Sequence, residues 1–150
     1  FLQGGGACYT KQDCTSRSQG ALGSSNYWSR TKQGQAIYST SSSENPDFYD
    51  GHHVFVPYCG GDVHSGTRTT NTDPATWGFY FSGHLIVTNI IEYLIKNYGM
   101  DKAENVLLSG CSAGGIGTFG NTDWVYDKLT SYNSKINYKA APIAGWFFAG

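Results

Sequence analysis

Apolar positions gather into clusters along this chain, and the clusters sharpen toward its second half. Between Ile86 and Tyr98 they fall at Ile86, Val87, Ile90, Ile91, Leu94, Ile95 and Tyr98. That doubled i/i+4 stripe predicts an amphipathic helix, with Glu92 and Lys96 as an exposed i/i+4 pair and Gly99 as its C-cap. Asn105-Val106-Leu107-Leu108 is short and almost wholly apolar, which predicts a buried strand inside a parallel sheet with helices on both faces. A helix is predicted from Ala113 to about Leu129 after a glycine-rich turn. His53 to Tyr58 predicts an earlier strand bounded by Gly51 and Gly60-Gly61, and Lys139 to Ala144 a later one, weakened by Pro142. Thr10 to Gly51 is polar and rich in Gly and Ser, so it predicts irregular chain with one short helix around Asp13 to Ser18. Strands alternating with helices predict an α/β fold, a parallel sheet flanked by helices.

Composition narrows the function. Lys+Arg 10 against Asp+Glu 11 gives a formal charge of −1, so no basic field draws in nucleic acid or an anionic membrane. Charged residues are only 14% of the 150, while Gly 20 and Tyr 11 supply polarity and bulk without charge; such a surface suits a secreted, extracellular protein. The longest apolar tract, Leu85 to Ile95, is broken by Thr88, Asn89 and Glu92 and is shorter than the roughly 20 apolar residues of a membrane span. Of the four cysteines, Cys8 and Cys14 lie in one Gly-flanked polar loop. They are the expected disulfide in an oxidising compartment; two free thiols in a cytosolic protein are the alternative. No C-x-x-C pair occurs, and neither a metal nor a cofactor is expected.

The chemistry concentrates at Gly110-Cys111-Ser112-Ala113-Gly114. In a G-x-S-x-G turn between a strand and a helix, the middle residue is forced to positive φ and its hydroxyl is lifted clear of the sheet. The helix N-terminus behind it directs free N–H groups at the anion formed when that hydroxyl attacks a carbonyl. In a chain this rich in Gly and Ser the bare pattern arises easily by chance. Its place between a predicted strand and a predicted helix is what favours a nucleophile over a plain turn.

An acyl-transfer site needs further backbone donors from a loop after an earlier strand. Phe1-Leu2-Gln3-Gly4-Gly5-Gly6-Ala7 has that form, a strand stub running into glycines. A flexible glycine tract is the bland alternative, and a phosphate-binding loop is disfavoured because no Lys-Ser/Thr pair follows.

Six segments together resemble the pectin acetylesterase and Notum family. They are Phe1 to Cys8, Asn45-Pro46, Val56 to Asp62, Leu107 to Gly115, Asn121-Thr122-Asp123 and Ala144 to Phe147. The resemblance implies an α/β-hydrolase-like fold and a secreted Ser-Asp-His esterase. It places the nucleophile on Ser112 and the oxyanion hole on the backbone N–H groups of Gly5, Gly6 and Ala113. The implied partner is an acylated polysaccharide such as acetylated pectin, or an acylated protein. Two departures bear on the substrate. Where the plant enzymes tend to carry Trp before the cysteine and Notum carries Trp-Tyr, this chain has Gly6-Ala7; Cys111 before the serine is closer to the plant enzymes.

The base of such a triad follows the serine in the chain. Here His52, His53, His64 and His84 all precede Ser112, and only Asp123 and Asp127 come after it as carboxylates. Residues 1–150 are therefore expected to be part of an esterase domain, carrying the nucleophile and oxyanion loops without the acid and base, and inactive alone. Asp62-x-His64 reads as a solvated loop before a metal or substrate site, His52-His53 as structural, and Asp123 as a hydrogen-bonding group on its helix. Trp28, Tyr38, Trp77, Tyr80 and Trp146 read as core and rim before sugar platforms. A binding homologue that kept the fold and lost the chemistry is the competing class.

Overall fold

The computed structural model describes residues 1–146. Three α-helices and two strands make up its regular structure: α1 Lys11–Ser18, α2 Gly83–Tyr98, β1 Asn105–Cys111, α3 Ala113–Tyr132 and β2 Asn137–Ile143, with four short 3-10 turns between them. β1 and β2 pair in parallel, from Asn105 opposite Asn137 to Cys111 opposite Ile143, and α3 is the crossover between them. On the other side of β1, Leu2 forms parallel bridges to both Gly110 and Val56. Four chain segments thus run side by side in the order Val56, Leu2, β1, β2, all in one direction.

The parallel α/β arrangement matches the alternation in the sequence, with corrections. His53 to Tyr58 contributes only the bridge at Val56 rather than a ladder. β1 runs on through Ser109 and Gly110, which are buried, while Leu107 is 38% exposed. The expected burial of β1 is therefore incomplete at Leu107 among the described residues. β2 begins two residues earlier than expected and accommodates Pro142 because, among those residues, it has a neighbour on one side only.

α2 starts at Gly83, three residues before the apolar stripe, because a distant carboxylate caps it: Asp62 Oδ2 accepts from the Gly83 N–H at 2.6 Å. Gly99 ends the helix at φ 69°, as expected, its N–H bonded to Leu94 O. The stripe is narrower than its pattern, since Val87 and Ile91 are buried and Ile86 and Tyr98 are exposed. Glu92 does not pair with Lys96; its Oε1 accepts from Lys128 Nζ of α3 at 2.6 Å. Leu2, Val56, Val87, Ile91, Leu108, Val125, Leu129 and Ile136 form the core.

The N-terminal third is largely irregular, as expected, and is held by polar links. α1 is capped by Thr10, whose Oγ1 accepts from Asp13 N. Cys8 and Cys14 form a disulfide, and Cys59 and Cys111 are free thiols. None of the described helices is long and apolar enough to cross a membrane.

Candidate active site

In parallel sheets, ligands bind beyond the carboxyl ends of the strands. The glycine run after Leu2, the Cys59-to-Gly61 turn after Val56, and Ser112 after β1 all emerge at that end. Ser112 has φ 58° and ψ −121°, a left-handed conformation that side chains rarely adopt. It is fixed there from both directions, its N–H donating to Ile143 O at 2.9 Å and its carbonyl accepting from Ile116 N at 3.0 Å. The strand thus turns into α3 within one residue, and the Ser112 side chain is partly exposed.

So sharp a turn is possible because neighbouring backbone comes unusually close. A Cβ on Gly114 would overlap the Leu2 carbonyl oxygen, and one on Gly4 would overlap the Cys111 carbonyl oxygen and lie 3.2 Å from Ser112 Cβ. The elbow and the N-terminal glycine loop are therefore in direct backbone contact. Beyond that contact Gly5 and Gly6 take φ 140° and 66°. The N–H groups of Gly5, Gly6 and Ala113 make no hydrogen bond to another described residue. A hydroxyl on a constrained turn, with amides of a contacting loop and of a helix N-terminus unpaired among the described residues, can chemically support acyl transfer.

The remaining candidates have other employment. His64 is not on a solvated loop: it is 2% exposed, stacks on Tyr58 with ring centroids 4.5 Å apart, and its Nε2 donates to Gln3 O at 2.9 Å. Burial lowers its pKa below the ordinary histidine value, more than the Gln3 bond and the nearby Asp62 raise it. Asp62 Oδ2 accepts from Gly66 and Gly83. His84 Nδ1 lies 2.6 Å from Asn121 Oδ1, and His53 Nε2 donates to Phe48 O at 2.8 Å. His52 and Asp123 are exposed. Among the described residues no imidazole is hydrogen-bonded to Ser112.

Two residues that hold this region together lie in family-like segments but carry no sequence signal for the contacts they make. Asn121, 1% exposed on α3, donates to His64 O and Gly117 O while its Oδ1 faces His84. Tyr58 is buried beneath His64; its hydroxyl accepts from Val63 N at 2.7 Å, and burial pushes its pKa up to about 12. Of the aromatics, Trp28 bonds Ala21 O through Nε1, and Trp146 is exposed and edge-on to Phe119. Phe147 of the sixth family-like segment lies outside the described residues. A groove of about 360 Å³ bounded by Arg17, Cys59, Tyr80, Phe81 and Ile86 is not lined by Ser112.

Comparison with known proteins bears on family and fold. The profile of the pectinacetylesterase family matches residues 1–150. The chain belongs to this family. Palmitoleoyl-protein carboxylesterase notum1a of Danio rerio is 37% identical over 98% of the chain and 29% of its own length. Pectin acetylesterase 4 of Arabidopsis thaliana is 36% identical over 86% of the chain and 31% of its own length. A solved structure of the Wnt deacylase Notum from Drosophila superposes with TM-score 0.90 at 33% identity, covering 98% of the chain and 44% of that structure. The fold is thus that of the α/β-hydrolase-like members of this pectinacetylesterase family, and the chain spans about 30% of the length of the curated relatives it matches.

Proposed function

We propose that the protein is a serine carboxylic ester hydrolase acting outside the cell, with Ser112 as its nucleophile. The observation that carries this reading is the conformation of Ser112, φ 58° at the junction of β1 and α3, with the N-terminal glycine loop in contact with it at Gly4. In the proposed reaction Ser112 Oγ attacks the acyl carbon and the carbonyl π electrons move onto oxygen. The N–H groups of Gly5, Gly6 and Ala113 stabilise that oxyanion. Collapse expels the substrate alkoxide, which takes up a proton, and leaves an ester on Ser112. Water then cleaves the ester to release the acid and restore the hydroxyl.

A serine hydroxyl needs a base for the first step, and among the described residues none of the four histidines is hydrogen-bonded to Ser112. We place the acid and base in residues following Gly150 in a chain of the relatives' length, and expect residues 1–150 alone to turn over no acetyl ester. The leading substrate is an O-acetylated polysaccharide such as pectin. Support comes from the match to the Arabidopsis pectin acetylesterase and from Cys111 before the serine, which is closer to the plant enzymes. The likeness to Notum, a Wnt deacylase in Drosophila, favours a second reading, removal of a longer acyl chain from a protein.

The test uses protein expressed from its full reading frame, incubated with acetylated pectin and with a palmitoleoylated peptide. Ser112-dependent release of acetate supports the leading reading, and release of the fatty acid the second. Absence of both, together with failure of a fluorophosphonate probe to label Ser112, would point to a binding protein that has lost the chemistry.

A further inference from the structure

Arg17 stands in the last turn of α1, and its Nη1 donates to the carbonyl oxygen of Gly5 at 2.7 Å. The guanidinium lies 4.8 Å over the buried ring of Tyr58. Its Nε and Nη2 are buried without a hydrogen-bond partner among the described residues. Withdrawing a guanidinium from water and leaving donors unmatched is unfavourable, and an apolar side chain of similar length would fill the same space. The one hydrogen bond the group makes among the described residues therefore indicates what it is there for.

That bond falls on the peptide joining Gly5 to Gly6. The described residues contain no cis peptide, and in a trans peptide the C=O and the following N–H point in opposite directions. Holding the Gly5 carbonyl toward α1 turns the Gly6 N–H away from α1. Flanked by glycines at φ 140° and 66°, this peptide has little intrinsic preference for either orientation. A flip would present the carbonyl lone pairs where a donor is needed. The anchor itself is rigid: α1 is tied to the loop by the Cys8–Cys14 disulfide, and Cys8 N bonds Gly61 O at 3.1 Å. Leu22 packs against Gly5 as well.

We propose that Arg17 is a positioning residue for the oxyanion hole, locking the Gly5–Gly6 peptide so that the Gly6 N–H faces the acyl oxygen. The proposal rests on the reading of Ser112 and Gly6 given above. Its positive charge also polarises the locked peptide and strengthens the Gly6 N–H as a donor. No bond of Arg17 to substrate is implied.

The test compares wild type, Arg17→Met, Arg17→Lys and Ser112→Ala, each expressed from the full reading frame, on 4-nitrophenyl acetate, with the folded fraction measured by circular dichroism. Loss of one oxyanion donor lowers kcat by roughly 100-fold or more, so a disordered donor in Arg17→Met is expected to lower it about 10- to 100-fold with KM little changed. Arg17→Lys, which keeps a cation on a stem of similar length, is expected to return kcat to within about five-fold of wild type. Should Arg17→Met fail to fold, Arg17→Gln carries the same expectation. A folded Arg17→Met or Arg17→Gln protein with wild-type kcat overturns the proposal, as does a loss of kcat that only follows the folded fraction. Turnover that survives Ser112→Ala instead overturns the underlying esterase reading, so the two failures are distinguishable.

Discussion

His64 Nε2 donates to the carbonyl oxygen of Gln3 at 2.9 Å, immediately before the glycine run. Because a carbonyl can only accept, this bond fixes the proton on Nε2. The buried imidazole therefore sets the path of the chain into the loop that faces Ser112.

This relationship makes stability depend on pH. Burial lowers the His64 pKa in the folded chain below the unfolded value, so between the two values the unfolded chain binds a proton that the folded chain does not. Stability is then full above the ordinary histidine pKa of about 6.5 and declines as pH falls below it. Urea midpoints measured from neutral to mildly acidic pH are expected to drop. In His64→Gln the drop over that interval is expected to shrink. An equal slope in both proteins would assign the effect to other groups.

The contact of Gly114 with Leu2 makes a second expectation. A methyl group there meets backbone rather than a flexible side chain, so α3 must move off the Leu2 segment or the elbow must open. Gly114→Ala is expected to destabilise the fold by about 1–3 kcal/mol, the usual range for overpacking, despite alanine's better helix propensity. Thermal or chemical unfolding measures it, and a neutral effect would show that the elbow is looser than its geometry.

The legible parts of this chain were those whose signals are local. The stripe around Ile90 and Ile91, Gly99 at its end, the apolar run at Val106 to Leu108 and the G-x-S-x-G turn each announce themselves within a few residues. The misread parts depend on partners far away in sequence. Gly83 starts α2 because Asp62 caps it, Glu92 chooses Lys128 over Lys96 across the α2–α3 contact, and His64 is buried because Tyr58 and Gln3 meet it. Arg17 stood in an unremarkable polar stretch, and Asn121 in a family-like segment that names no contact for it; only the folded backbone shows that one faces Gly5 and the other His64 and His84.

Asn121 offers a third expectation. Its side chain satisfies His64 O, Gly117 O and His84 Nδ1 from a position 1% exposed. Asn121→Leu keeps much of the volume but strands polar groups of two segments in the interior. The expected loss is about 3 kcal/mol, since each buried group left unpaired costs about 1–3 kcal/mol. A loss under about 1 kcal/mol would mean that water reaches these groups.

Ser112 itself gives the sharpest separation of stability from function. Its φ of 58° with ψ −121° lies in a region where a side chain is strained and glycine is not. Relieving that strain in Ser112→Gly is expected to raise stability by about 1 kcal/mol, the low end of the strain attributed to such residues, partly offset by glycine's greater freedom when unfolded. The same substitution removes the hydroxyl and is expected to abolish fluorophosphonate labelling of protein expressed from the full reading frame. Ser112→Ala, which keeps the Cβ and hence the strain, should lose the label without the full gain. Equal unfolding midpoints for the glycine and alanine variants would show that the elbow stores no strain at this residue, leaving its conformation to be explained by the Ile143 and Ile116 hydrogen bonds alone.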